Sequence, residues 1–415
     1  MNNITQRQPV KLTGTSCEIA AQWAAVNGQY IKKHVAGFMA DVNRRKISKD
    51  SLIRHADKFV AIAGRYGNHW LEEAGHLSAA CGIKPEIYIT YMASTYRNLL
   101  FQGECTSYTV SARITAGDQV LFHKTRDRRK REQSAFILHS AGKGINKFIA
   151  VSDASIIGAM MMVNDKGLAG SADTLGSFKC GRPLYEGMMN VFILRYIAER
   201  AACCGDAVEI VKEFVRNRYY AGGAIDGTHW LFADRTGTGY EVSNNAEEVM
   251  ARRIHEDFYI SCQRKGIKKQ YDKMPKPLSF EAFHSLSRSK GMCFDNSVAG
   301  MTVEIDRKHP DVSTCAWIAL PAKSYLLPLV MGGSTTPRGL LDGSVYTQGA
   351  AIVQNKNVKN IYEFFDHENH QAKTFLLKYP VPSGTAQQKK HTEAQINSWM
   401  QLQENKYWLI TGMLK

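Results

Sequence analysis

The sequence predicts an α+β protein whose helices pack on a layered antiparallel core. Three observations carry that expectation. Apolar residues over the first hundred positions recur at threes and fours, the period of a helix face. From Cys105 the texture changes to short β-type runs separated by turn residues. Helical stretches then return before further strand-like runs, giving the order sheet, helices, sheet.

Taken in order, the first helix spans about Cys17 to Asn43, because Ile19, Ala20, Trp23, Ala24, Tyr30, Ile31, Val35 and Phe38 fall on one face. Ser51–Tyr66, Trp70–Cys81 and Pro85–Leu99 continue in helical period, with Gly67-Asn68 and Gly82 as breaks. Strands are expected over Thr106–Ala112, Gln119–Lys124, Ala135–His139, Lys147–Val151 and Ile156–Val163. Turn signals at Ala116-Gly117-Asp118 and Asn164-Asp165-Lys166-Gly167 separate some of them. Helices are expected over Tyr185–Ala201 and Ala207–Arg216, then strands over Thr228–Ala233, Gly239–Val242, Met301–Ile305 and Thr314–Leu320. The polar, basic stretch Ser383 to Lys390 reads as a surface loop before a last amphipathic segment ending near Leu414. No internal repeat is found.

At 415 residues, with 44% hydrophobic and 22% charged residues, the chain has the composition of a globular protein and not of a disordered, collagen-like or coiled-coil one. The longest apolar stretch, Trp317 to Gly332, is broken by Pro321, Lys323 and Pro328, so no membrane span is expected. The N-terminus has no apolar core of a secretory signal, which points to the cytoplasm. Nine Cys without a CxxC pair argue against a zinc site or a full disulfide framework and for a reducing compartment. Fifty-three Lys+Arg against 38 Asp+Glu give a net charge of +15, which favours an anionic partner. The run Arg126 to Arg131 lacks interleaved aromatics and reads as a solvated turn, so no nucleic acid is expected. Neither glycine pair, Gly142/Gly144 nor Gly237/Gly239, completes a phosphate loop, and His367 and His370 are one residue short of zincin spacing. No cofactor and no metal are expected.

Cys105 stands where the helical half meets the first strand. A cysteine there is as compatible with packing as with a reactive thiol. The pattern around it is more informative. Leu12-Thr13-Gly14-Thr15-Ser16-Cys17-Glu18-Ile19, Leu71-Glu72-Glu73-Ala74-Gly75 through Gly82 to Arg97, Gly103-Glu104-Cys105-Thr106-Ser107, and Lys124-Thr125-Arg126-Asp127 follow one another in a recognisable order. In that order they resemble the penicillin acyltransferase family of self-cleaving N-terminal-nucleophile hydrolases, related to choloylglycine hydrolases and acid ceramidases.

The resemblance implies a four-layer αββα sandwich with a helical N-terminal segment, divided at the nucleophile into residues 1–104 and 105–415. It implies cleavage between Glu104 and Cys105, leaving Cys105 as nucleophile with its own α-amine as base. Asp127, 22 residues on, would orient that amine. Lys124 and Arg126 would hold a substrate carboxylate or the leaving group. Asp173 stands near the position of a family Asn and joins the substrate-binding candidates. Asn244 and Asn245 are the nearest amide donors for an oxyanion, because the family's later Asn-bearing segment has no clear copy at Asp257–Gln263. The expected partner is a small amide or acyl-thioester, anionic given the basic balance; a homo-oligomer stays open. The alternative expectation is an uncleaved, inactive family member that serves as a basic binding or scaffold protein.

Overall fold

A computed structural model describes residues 11–94, 105–127, 133–175, 186–221, 227–261, 265–289, 291–294, 296–323, 326–341, 344 and 384–412. A short strand, β1 (Lys11–Gly14), leads into α1 (Ser16–Arg44). The junction is built by Gly14, whose φ of 106° reverses the chain, and by a capping box in which Thr15 accepts from the Glu18 N–H while the Glu18 carboxylate accepts from the Thr15 N–H. Helices α2 (Lys49–Tyr66), α3 (Asn68–Ala80) and α4 (Pro85–Ala93) follow.

Next come β2 (Cys105–Val110), β3 (Val120–Asp127), β4 (Gln133–Ser140), β5 (Phe148–Asp153), β6 (Met161–Asn164) and β7 (Leu168–Leu175). Helices α5 (Asn190–Arg200) and α6 (Cys204–Arg216) interrupt, before β8 (Gly227–Asp234), β9 (Gly239–Asn244), β10 (Val249–Ile254) and β11 (Phe258–Ile260). Then come α7 (Lys265–Asp272), α8 (Phe280–Ser287), β12 (Ser297–Ile305), β13 (Cys315–Ala319), β14 (Leu327–Val330) and the closing helix α9 (Ala386–Gly412).

The strands form two sheets, one ordered β1-β4-β5-β6-β7-β8-β9-β10 and the other β11-β2-β3-β12-β13-β14. All pairings are antiparallel except β1 with β4. Side-chain alternation then sorts each strand between two cores. In β4 and β5, Ala135, Ile137, Ile149 and Val151 pack between the sheets against Phe122, Met301, Val303 and Ile318. Phe136, Leu138, Phe148 and Ala150 face outward onto α1–α6, beside Trp23, Trp70 and Phe192. On the far side, Tyr108, Leu121 and Trp317 of the second sheet pack under α7, α8 and α9, against Tyr271, Phe283 and Trp399. The fold is an α+β sandwich of four layers, helix, sheet, sheet, helix, as expected.

The segment before Cys105 is built into this frame. Leu12 of β1 is fully buried in the sheet, and the helices of that segment share one core with β4–β9. Several bounds differ from the sequence reading: β3 runs on through Arg126 and Asp127, buried where a solvated turn is expected because they face partners in the neighbouring strand and sheet, and α5 starts only at Asn190. Residues 156–160 turn instead of extending, since Ile156 N–H bonds Asp153 O and Met160 N–H bonds back to Val151 O. The polar stretch 386–390 is the first turn of α9. Its charged residues mark a solvated helix face, which composition alone reads as loop. No described helix is long and apolar enough to cross a membrane.

Candidate active site

Cys105 is the first residue of β2 and half-buried. Antiparallel register sets Cys105 opposite Arg126 and Ser107 opposite Lys124. Phe122 lies in the inter-sheet core and Leu121 in the outer one, so alternation carries Lys124 and Arg126 to the inter-sheet face. On β2, Tyr108 and Val110 face outward, so Cys105 and Ser107 face inward with them. Thiol, ammonium and guanidinium therefore share one face.

The opposite sheet supplies the counter-charge. Asp173 of β7 forms a buried ion pair with Lys124, whose ammonium also donates to Ala172 O at 2.5 Å. The Ser107 hydroxyl donates to both Asp173 oxygens, at 2.8 and 3.1 Å, and the Ser261 hydroxyl donates at 3.0 Å. Ser171 Oγ lies 2.7 Å from Ser107 Oγ. Ser261 is locked in turn by the Ser107 N–H, donating to its hydroxyl at 2.9 Å, and by its own N–H on Ser107 O at 2.8 Å. Arg126 donates to the Gln133 side chain. The cluster thus bridges the two sheets beside the thiol.

Beside Asp173 on the neighbouring strand stands His229, its cross-strand partner and only 6% exposed. Its Nε2 is 3.5 Å from Glu241, while Nδ1 is buried with no hydrogen-bond partner among the described residues. Burial pulls this imidazole's pKa below the ordinary range despite Asp173 and Glu241 nearby. At Cys105, burial pushes the thiol pKa up. Lys124 pulls it down, Asp173 pushes it up, and Arg126 and Asp127 add weaker opposing effects. The thiol is therefore protonated near neutrality and requires a base before it can attack.

Lys124, Arg126 and Asp173 are brought together with Cys105. Lys124 is already neutralised by Asp173, so its charge is not available to an anionic substrate. Asp127 has the opposite parity on β3 and takes the Ser297 hydroxyl. Near it lies Cys293, a buried thiol that burial pushes up to about 11.

The Asn244 carboxamide is engaged at both ends, and Asn245 is engaged through its oxygen. Asn244 accepts from the Trp230 indole at 2.6 Å and donates to Asn245 O at 2.8 Å, on the helix-facing side that Trp230 and Val242 share. Asn245 accepts from the N–H groups of Glu247 and Glu248, each at 2.7 Å, closing the turn into β10. Glu104 and Gln263 lie outside the described residues. The serines and His229 were not among the expected site residues. Only Ser107, two places after Cys105 on the same strand face, carried a local signal.

No family model matches the chain, and no curated protein matches it. Similar solved structures include an N-acylethanolamine-hydrolyzing acid amidase ortholog from Caenorhabditis elegans, 11% identical with a TM-score of 0.37, covering 48% of this chain and 92% of that one. Penicillin V acylase from Agrobacterium tumefaciens is 11% identical with a TM-score of 0.40, over 55% of this chain and 86% of that one. A variant of conjugated bile acid hydrolase from Clostridium perfringens is 9% identical with a TM-score of 0.34, over 55% and 92%.

Proposed function

We propose that this chain is a cysteine amidohydrolase that matures by hydrolysis of its own Glu104–Cys105 bond. The observation that carries the reading is Cys105 opening a strand with its side chain between the sheets, beside the Lys124–Asp173–Ser107 cluster. Hydrolysis would leave a carboxylate on Glu104 and an α-amine on Cys105, whose ordinary pKa of about 7.7–8.0 suits a base near neutrality. That amine takes the thiol proton, and the thiolate adds to the substrate carbonyl. Collapse breaks the C–N bond, the ammonium returns the proton to the leaving amine, and an acyl-thioester remains on Cys105. Water, deprotonated by the same amine, hydrolyses the thioester to a carboxylic acid. An amine in place of water would give acyl transfer.

Asp173, anchored by Lys124 and two serines, is the carboxylate best placed to bias charge at the cluster, with Asp127 the competitor. Arg126, which donates to Gln133 on the same face as the thiol, is the cation we assign to a substrate carboxylate. Residues 1–104 and 105–415 would stay associated, supported by β1 within the sheet and by the shared helical core. Intact mass under denaturing conditions tests the reading. Two fragments split at 104/105, with Cys105→Ala remaining one chain, are expected. Asp173→Asn should then lower turnover of N-acyl amides by about 10²–10⁴, and Asp127→Asn less. A wild-type chain that stays whole would overturn self-processing. The second reading, an uncleaved binding protein, draws on the saturation of Asp173 by three side-chain donors and on the Asn244 carboxamide, engaged at both ends. That outcome would leave it standing.

A further inference from the structure

The first cleavage needs something that turnover does not. In the whole chain the Cys105 nitrogen is an amide and takes no proton, so the thiol, which burial holds protonated, requires another base. The groups already placed beside it serve poorly. Asp173 receives Lys124, Ser107 and Ser261, while the Lys124 ammonium donates to Asp173 and to Ala172 O. Asp127 and His123 lie on the outer face of β3, where Asp127 takes the Ser297 hydroxyl and both His123 nitrogens meet threonine hydroxyls.

His229 is on the required face. Leu231 and Ala233 of β8 pack between the sheets, so alternation turns His229 the same way, beside Asp173 of β7. Cross-strand partners of this kind hold their Cβ atoms about 4.5–5.5 Å apart. His229 also stands at the required end. Across the gap Ser107 meets Asp173 and Ser171, which pair with His229 and Leu231, whereas Thr109 lines one cleft with Ala233. β2 and β8 therefore run in the same sense, and Cys105, two places before Ser107, lies over the end of β8 that bears His229. Facing sheets stand about 10 Å apart, a gap that two inward side chains close to a hydrogen bond or one bridging water.

The imidazole is set as an acceptor. Its Nε2 faces the Glu241 carboxylate at 3.5 Å, which keeps the ring proton there and leaves the buried Nδ1 lone pair without a partner among the described residues. Around it stand Asp173 of β7, Glu241 of β9, itself paired with Arg252 of β10, and Lys124 from the facing sheet. Burial outweighs the two carboxylates and keeps the ring neutral near pH 7.

We propose, resting on the reading that the chain cleaves itself, that His229 is the base for that cleavage. Nδ1 takes the Cys105 thiol proton, directly or through one water, as sulfur adds to the Glu104 carbonyl. The adduct collapses by breaking the C–N bond, and the imidazolium returns the proton to the departing nitrogen, leaving a thioester between Glu104 and Cys105. Water then adds to the thioester with the freed amine as base, giving the Glu104 carboxylic acid and the thiol.

The full chain, made by cell-free translation, is chased in buffers from about pH 5 to 9, and loss of intact mass is followed under denaturing conditions. The wild-type cleavage rate should be level above about pH 7 and fall about tenfold per pH unit on the acid side of the imidazole pKa, which burial sets below 6.5. His229→Gln, uncharged and of similar size, should cleave slower by about 10²–10⁴, with a rate that climbs about tenfold per pH unit as hydroxide supplies the thiolate. His229→Ala should be equally slow and recover in part with free imidazole, which restores a base but not a structural contact. Cys105→Ala should stay whole throughout. If wild type cleaves and His229→Gln keeps pace within about threefold, the base is overturned and self-cleavage stands. A wild-type rate that climbs about tenfold per pH unit through neutrality overturns the base equally, and needs no folded variant. A wild-type chain that stays whole overturns both.

Discussion

Replacing Arg195 with Met tests how the helices before Cys105 are held to the rest of the chain. Arg195 of α5 is 1% exposed and grips Glu73 of α3 through two bonds, at 2.6 and 2.7 Å. Its Nε donates to Glu199 at 2.8 Å, and Nη1 donates to Ile157 O at 2.9 Å. Glu199 also receives Trp70 Nε1 at 3.2 Å and lies 3.0 Å from His69 Nε2. Burial alone would raise the Glu199 pKa, but Arg195 and His69 override it and hold the carboxyl at about 2, against an ordinary 4.5. Such a depression corresponds to stabilisation on the order of 3 kcal/mol, fully present above pH 4.5 and lost as pH falls toward 2. Removing one partner of a buried ion pair costs about 3–5 kcal/mol by itself, in agreement.

Arg195→Met should therefore lose about 3–5 kcal/mol in urea unfolding at pH 7, followed by tryptophan fluorescence, since Trp70 lies over the guanidinium. The pH dependence gives a second signature. Without the cation, Glu199 faces burial with only His69 and Trp70 to oppose it and protonates more readily, so the gap from wild type should narrow as pH falls from 7 to 4. A loss below about 1 kcal/mol, or one independent of pH, would refute the argument.

Three further outcomes follow from local geometry. His123 is buried between Thr302 and Thr125, and burial, with a smaller contribution from His284, depresses its pKa to about 3. Its ring should show no NMR titration between pH 7 and 4, and it should erode stability as pH falls below 6.5, where only the unfolded chain takes the proton. At Gly187 an added Cβ would sit 2.5 Å from the backbone oxygen of Tyr219, an atom already bonded by the Met188 N–H, so Gly187→Ala should cost about 1–3 kcal/mol by thermal unfolding. Thr15→Ala removes one half of the α1 capping box and should cost about 1 kcal/mol, largely restored by Thr15→Ser.

The helical opening and the strands that follow it were legible because their signals are local, while the αββα layering was implied by the family resemblance. Helical period up to residue 93 and alternation from Cys105 onward are short-range consequences of 3.6- and 2-residue repeats, and they place Lys124 and Arg126 on one face before any partner is known. The same alternation puts Asp127 on the other face, so its spacing from Cys105 does not by itself bring the two side chains together. Which charges meet was a tertiary decision. Lys124 and Asp173 are 49 residues apart, and Ser261 is 88 beyond Asp173; they converge only because β2 crosses β7 face to face. Asn244 shows the converse: its residue type suits an oxyanion donor, but its parity on β9 turns the amide toward Trp230 and the helices. Strand alternation is written in the chain, whereas the strand lying across the gap, and hence which buried charges neutralise each other, depends on how the two sheets stack.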